Sequence, residues 1–218
     1  YRQTLLLKKM ISLIIYLKDK NSKENIELIK KDNPNFVLPK LENDIETFKM
    51  LANGDVSGVF QLESAGMRKV IMQMKTSSLE DIIQALALYR PGPMDIIPIF
   101  IKRKFKEEVV TYPHEDLKSI LEETYGTIVY QEQIMQIACK FAGYTLGRAD
   151  ILRRAVSKKK KEVLEQERKT FIESSIRQGY TENVVTLIYD YIVKFADYGF
   201  NKAHSVAYAK VAYITAYL

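Results

Sequence analysis

The sequence is poor in the residues that build disulfides and metal sites. It contains one cysteine, Cys139, and two histidines among 218 residues. A single cysteine excludes an intramolecular disulfide and a zinc site made from several cysteines, and it fits a reducing compartment. Two histidines leave little for an imidazole-based metal site. The sequence therefore predicts a chain that folds without covalent or zinc cross-links.

Long apolar runs are missing as well. The most apolar stretches, residues 10–17 and 203–218, are bracketed or interrupted by lysines. Neither reaches the roughly 18 uninterrupted apolar residues that a membrane span needs. The remaining composition is balanced, with 47% hydrophobic and 28% charged residues. This balance argues against wholesale disorder and allows one large domain or two small ones with a sizeable core.

Positive charge is concentrated in one place. Between residues 148 and 161 the only acidic residue is Asp150, and the whole net charge of the chain, +6, falls in this window. Its basic residues are Arg148, Arg153, Arg154, Lys158, Lys159, Lys160 and Lys161. A local basic patch on a neutral body indicates a polyanionic partner such as nucleic acid or a nucleotide. A solvated lysine face is the plainer alternative.

The periodicity of apolar residues predicts a mainly α, multi-helical domain over residues 44–218, with about eight helices and little strand. Residues 1–43 are expected to be a poorly ordered lead-in, with residues 18–43 the least ordered. Local signals set helix ends: Asp44 and Thr145 are predicted N-caps, and Gly143 a helix terminator. Residues 58–62 are predicted to be a short extended segment.

Two clusters of residues suggest nucleotide chemistry. On a helix, Arg154 and Lys158 lie one turn apart, next to Arg153, so that guanidinium and ammonium groups can grip one phosphate chain. The second cluster, residues 198–205, opens the last predicted helix. There an aromatic ring can stack on a base, an amide can pair with a polar edge and an ammonium can neutralise phosphate. Its residues with this chemistry are Tyr198, Asn201, Lys202 and His204. A purely structural histidine at a helix start is the alternative.

Five ordered motifs resemble the fingers region of the bacterial replicative DNA polymerase III alpha subunit of the DnaE type. They are GVFQLES at 58–64, ALYRPGPM at 87–94, IVYQEQ at 128–133, ADILRRA at 149–155 and YGFNKAH at 198–204. The resemblance covers about residues 44–218, which it implies are a helical fingers domain, and it implies that residues 1–43 are a lead-in or a palm-to-fingers remnant. Two positions depart from the usual pattern: Ala203 replaces a serine, and Val156-Ser157 stands where Met-Gly is common.

The resemblance implies a role in holding the incoming dNTP and primer–template DNA for a DNA-directed DNA polymerase of the bacterial cytoplasm. It implies that Arg153, Arg154 and Lys158 face the triphosphate and that His204 packs near the sugar with Lys202 nearer phosphate. The charge of the basic window predicts DNA contacts for Arg148, Lys159, Lys160 and Lys161. Other replicase subunits would bind through parts of the parent protein outside this sequence, and no membrane partner is expected.

The same resemblance places Mg²⁺ and its three carboxylates in a palm domain. The Asp-Phe-Leu-Gly-Leu type of stretch that carries the last carboxylate is not found in this sequence. We therefore expect no catalytic residue, no bound metal and no polymerase activity from this fragment alone. Two other function classes stay open: a non-catalytic helical nucleic-acid-binding module, and a membrane-surface protein that uses the basic patch. An acidic Pro-Asp-x-Asp-like pair encoded upstream would favour the polymerase.

Overall fold

The computed structural model describes residues 44–158, 161–195 and 199–217, without the side chains of residues 157, 158 and 161. This part of the chain contains ten α-helices joined by short turns and 3-10 segments. They are α1 (Ile45–Ala52), α2 (Ala65–Gln73), α3 (Leu79–Leu88), α4 (Ile97–Lys104), α5 (Lys118–Leu121), α6 (Gln131–Ala142), α7 (Leu146–Lys158), α8 (Lys161–Arg177), α9 (Glu182–Phe195) and α10 (Lys202–Tyr217). None of these helices is long and apolar enough to cross a bilayer.

The predicted fold class is confirmed. Across the described ranges, the extended pairing consists of one isolated parallel bridge between Tyr130 and Phe200. The expected disorder of residues 18–43 lies outside the described residues. The domain boundary predicted at residue 44 stays a prediction. The contacts among the described residues divide the chain elsewhere: one compact unit comprises residues 44–79 with 209–217, and a larger unit comprises Glu80–Tyr208.

In the first unit, local capping and aromatic packing organise the chain. The Asp44 carboxylate accepts hydrogen bonds from the Thr47 amide at 2.8 Å and the Thr47 hydroxyl at 2.6 Å, so Asp44 caps α1 as predicted. The Asp44 amide in turn donates to the Tyr213 hydroxyl at 3.0 Å. The Phe48 and Tyr213 rings pack at 5.3 Å. The start of α1 and the end of α10 therefore share one small core.

The extended conformation predicted for residues 58–62 is wrong. These residues form successive tight turns, in which the Val59 amide donates to the Val56 carbonyl and the Leu62 amide to the Val59 carbonyl, both at 3.1 Å. Val56, Val59 and Leu62 are all buried. Their spacing of three residues fits a chain of turns that buries one side, whereas a strand would separate successive apolar residues by two.

The core of the larger unit lies between α6, α8 and α9, with α7 packed on α6. Each helix contributes apolar residues at intervals of three or four, which places them on one face. The fully buried members of this core include Ile134, Phe141, Phe171, Ile188 and Ile192. Gly143 ends α6 with φ at +64°, a backbone conformation that glycine adopts without a Cβ penalty. The predicted helix end at Gly143 is confirmed.

Buried phenols predict how the larger unit responds to alkali. Burial raises the pKa of both Tyr189 and Tyr191 to about 12. Their hydroxyls donate to the carbonyls of Leu164 and Gly126. A tyrosine in an unfolded chain ionises near pH 10. The contribution of these two phenols to the free energy of unfolding is therefore fully present below that pH and is lost as the pH rises from about 10 to 12.

Urea unfolding followed by circular dichroism between pH 9 and pH 11.5 measures this decline. Tyr189→Phe removes one ionisable group, so the free energy of unfolding of this variant is expected to fall less steeply with pH. Tyr217→Phe, at an exposed position, is the matched control and should keep the parent slope. An unchanged slope for Tyr189→Phe would contradict the assignment.

Candidate nucleotide and nucleic-acid interface

Two of the motifs singled out in the sequence meet at the start of α10. The Phe200 amide donates to the Val129 carbonyl, and the Gln131 amide donates to the Phe200 carbonyl, each at 2.8 Å. This short bridge joins the segment before α6 to the segment before α10. The YGFNKAH motif is therefore held by the IVYQEQ motif, although about 70 residues separate them in the sequence.

Gln133 fixes the segment that carries this bridge. Its side-chain carbonyl accepts from the amides of Val129 at 2.9 Å and Tyr130 at 3.0 Å. Its side-chain amide donates to the Thr124 hydroxyl at 2.8 Å and the Ile120 carbonyl at 3.2 Å. Gln133 is 1% exposed. A buried polar group with all its bonds made gives a rigid, uniquely specified loop.

Two side chains cap the first turn of α10. The Asn201 side-chain oxygen accepts from the His204 amide at 2.9 Å, as an N-cap does. The carboxylate of Glu132 accepts from the Lys202 amide through both oxygens, at 3.1 Å each. Asn201, predicted to touch nucleotide, therefore already has a structural role. Its nucleotide contact stays a prediction.

The Lys202 ammonium lies against polar and aromatic groups. It donates to both Glu123 carboxylate oxygens, at 2.9 and 2.7 Å, and lies 5.0 Å from the centre of the Tyr130 ring. The Tyr130 hydroxyl donates to Glu80 at 3.3 Å. Burial raises the pKa of Glu80, an effect that the Lys202 charge partly opposes. Burial also raises the pKa of Tyr130 above its usual value.

Three rings at intervals of four residues lie along the start of α10, the first of them just before the helix. The His204 ring lies 5.5 Å from that of Phe200 and 4.2 Å from that of Tyr208. The Arg90 guanidinium stacks on the Phe200 ring at 4.3 Å, and burial lowers the pKa of Arg90. The His204 side chain is exposed. Arg90 and Tyr208 were not predicted as site residues, although the spacing of 200, 204 and 208 is a helical signal that could have found Tyr208.

The predicted arginine pair lies on α7, and both members bind the same acid. Arg153 donates to one oxygen of Asp150 through two nitrogens, at 2.9 and 2.6 Å, and Arg154 pairs with the other oxygen at 2.6 Å. These bonds, led by those from Arg153, lower the pKa of Asp150. The side chain of Arg154 is 64% exposed and that of Arg153 is 19% exposed. Arg154 is thus the more accessible cation.

Arg148 connects two helices. Its guanidinium pairs with Glu167 of α8 at 2.6 Å and stacks on the Tyr144 ring at 4.8 Å. The bond to Glu167 is the main reason that the pKa of Arg148 is raised. The Arg148 amide donates to the Thr145 hydroxyl at 3.3 Å, which confirms Thr145 as a cap. A DNA contact by Arg148 stays a prediction beside this structural role.

Several predicted site residues lie outside the described part of the chain. Tyr198, Lys159 and Lys160 belong to this group, as do the side chains of Lys158 and Lys161. Their proposed contacts with nucleotide or DNA stay predictions. The structure therefore places the described site residues in two groups, one on α7 and one at the start of α10.

The described residues do not fit the Mg²⁺ that the resemblance implies. No group of three or more histidine, cysteine, aspartate or glutamate side chains in those ranges is placed to hold a metal ion. Asp150 and Glu123 are instead paired with arginine and lysine side chains, and Glu132 accepts from the backbone amide of Lys202. We derive no step through a metal from this part of the chain.

Comparison with known proteins decides the family. Residues 9–179 match the family model of the bacterial DNA polymerase III alpha subunit finger domain. The chain belongs to this family. The resemblance stated from the motifs is thereby confirmed, and the finger-domain match begins earlier than residue 44, where the motif resemblance begins. It ends at residue 179, before the YGFNKAH motif.

Relatives of this finger domain agree with the family match. Over 176 residues, 81% of this chain, it is 58% identical to the DNA polymerase III subunit alpha of Bacillus subtilis (strain 168). It is 56% identical to the protein of that name from Halalkalibacterium halodurans and 51% identical to the one from Staphylococcus epidermidis. In each case the match covers 16% of the relative. The chain thus spans about a sixth of the length of these proteins.

Proposed function

We propose that this chain is the fingers part of a replicative DNA-directed DNA polymerase of the bacterial cytoplasm and helps to bind the incoming dNTP and primer–template DNA. The observation that carries the proposal is membership of the finger-domain family. The chemistry of the two residue groups supports it, because one offers guanidinium groups and the other an exposed imidazole among aromatic rings.

The basic group on α7 suits a triphosphate. Arg154 presents a planar donor fork to solvent, and such a fork matches phosphate oxygens. Arg153 holds Asp150, and Asp150 orients Arg154. Lys158, one turn after Arg154, completes the proposed set. We assign Arg154 the main contact because its side chain is the most exposed of the described arginines in this set.

The group at the start of α10 suits the nucleoside. His204 is exposed on a turn that Asn201 and Glu132 cap, so its backbone position is defined before ligand arrives. A ring held in this way can pack against the sugar of a nucleotide and discriminate between deoxyribose and ribose by shape. Tyr198 is proposed to lie on the same nucleotide-facing segment.

Primer extension by the full-length protein tests this proposal. The protein is expected to add dNTPs to a primed template, and replacing Arg153 and Arg154 together by alanine should lower incorporation strongly. Arg177→Ala is the matched control, since Arg177 is an exposed arginine of α8. A full-length protein that binds primed DNA and adds no nucleotide would favour a non-catalytic nucleic-acid-binding module instead.

Salt dependence tests the proposed DNA contacts. If Lys159 and Lys160 neutralise DNA phosphates, replacing both by alanine should weaken binding about equally for all sequences. The log–log slope of affinity against salt should flatten by roughly one unit per lost contact. Fluorescence anisotropy with labelled primer–template between 50 and 300 mM salt measures both effects. An unchanged slope would assign these lysines to solvation.

A further inference from the structure

We propose that Glu123 is a positioning residue: it binds Lys202 and so fixes the first turn of α10, which presents His204. The inference rests on the proposed function of His204 in nucleotide binding. It gives Lys202 a partner within the protein, where the motif resemblance had placed it near a phosphate. It also gives a role to Glu123, which the sequence analysis left without one.

The charges around Lys202 favour this role. The Lys202 ammonium contacts both carboxylate oxygens of Glu123, and the side chains of Lys202 and Glu123 are 30% and 42% exposed. The Glu132 carboxylate accepts a hydrogen bond from the backbone amide of Lys202. Glu80 is close enough for the Lys202 charge to affect its pKa. A phosphate that approached this ammonium would have to displace the Glu123 carboxylate, whose negative charge repels it.

Glu123 is carried on a fixed turn. Its carbonyl accepts from the side-chain amide of Gln84, a buried residue, at 2.8 Å. The next residue, Thr124, is buried and donates to the Thr127 carbonyl at 2.6 Å. The Glu123 carboxylate therefore extends from a backbone that hydrogen bonds hold in place. An ion pair on such a support restrains its mobile partner.

Three hydrogen-bonded contacts fix the helical turn that carries His204. The Lys202 ammonium is held by Glu123, the Lys202 amide by Glu132, and the Ser205 hydroxyl donates to the Ile83 carbonyl at 2.9 Å. His204 lies between the outer two contacts, and its own side chain is exposed. Loosening the first contact should allow the imidazole to shift without unfolding the helix.

A double-mutant cycle in the full-length protein tests the inference. Glu123→Gln, Lys202→Met and the double variant are compared by the ratio of kcat/KM for a dNTP to that for the matching ribonucleotide. Each single change should lower this ratio about two- to fivefold, the size expected for one partly exposed ion pair. The double variant should equal the larger single effect, because both changes break the same bond.

Other outcomes would overturn the inference. A phosphate ligand at Lys202 predicts a raised KM for dNTP in Lys202→Met and an unchanged or lowered KM in Glu123→Gln. Independent roles predict that the two effects multiply. A purely structural role predicts equal losses for both kinds of nucleotide.

Two control variants accompany the cycle. Lys202→Arg keeps the cation and should restore the ratio of kcat/KM values. Lys49→Met breaks an exposed ion pair on α1 and should leave this ratio unchanged.

Hydrogen exchange supplies a readout that needs no activity. In the full-length protein without nucleotide, amides in the first turn of α10 should exchange about two- to fivefold faster in Glu123→Gln and in Lys202→Met. Faster exchange in both variants, in a protein that adds no nucleotide, would uphold the restraint on α10 while the proposed function failed. Unchanged exchange would overturn the positioning role whatever the activity.

Discussion

Arg154→Ala in the full-length protein is expected to cut incorporation of a correct dNTP about ten- to a hundredfold. The physical reason is the loss of one charge-assisted contact to the triphosphate, with a value of about 1.5–3 kcal/mol. Arg154 is exposed and one of its nitrogens already binds Asp150, so its remaining donors are positioned before ligand arrives. Single-turnover kinetics at several dNTP concentrations measures the effect. Primer–template affinity should stay nearly constant.

Arg177→Ala is the control for this prediction, as it removes an equal charge from another helix. It should leave incorporation within about twofold of the parent value, since exposed charges away from the ligand contribute little. Normal incorporation kinetics in Arg154→Ala would remove this arginine from the triphosphate site. A parallel loss of primer–template affinity would instead assign Arg154 to DNA binding.

His204→Ala should alter selection between deoxyribo- and ribonucleotides more than it alters DNA affinity. A change of about tenfold in the ratio of kcat/KM values is expected when one shape contact with the sugar is removed. The imidazole is exposed while its amide is held by Asn201, so the substitution removes the ring and leaves the cap intact. Parallel assays with a matched dNTP and ribonucleotide measure the ratio.

The second histidine of the chain is the natural control. His114 accepts a hydrogen bond from the Asp116 amide at 3.2 Å, and its ring packs edge-on against Phe141 and Tyr180. His114→Ala should therefore lower thermal stability and leave sugar selection unchanged. Unaltered selection together with lost stability in His204→Ala would assign His204 the same structural role.

Helix ends were predictable because they depend on neighbouring residues. Asp44 and Thr145 each bind an amide three residues ahead, and Gly143 adopts the conformation that a helix terminus requires. The apolar periodicity of α6 and α9 likewise predicts which face is buried, as Ile134 and Ile188 show. These signals act within one or two turns of chain and can be read without knowledge of the fold.

The network around Lys202 could not be predicted in the same way. Its partners Glu123 and Glu132 lie 79 and 70 residues away in the sequence. Many acidic residues of the chain offer the same chemistry, and these two are selected by the fold: Glu123 by the turn that carries it, and Glu132 by the bridge between Tyr130 and Phe200. Gln133 is a similar case, because a glutamine in a helix is usually solvated and this one is buried with four bonds.

A structure of the full-length protein with primer–template DNA and an incoming dNTP tests the central claim most directly. The account predicts a guanidinium nitrogen of Arg154 about 3 Å from a phosphate oxygen, and the His204 ring in contact with the sugar. Lys202 should remain on Glu123 in the same complex. A nucleotide bound away from both α7 and the first turn of α10 would contradict the proposal that this chain holds the incoming nucleotide.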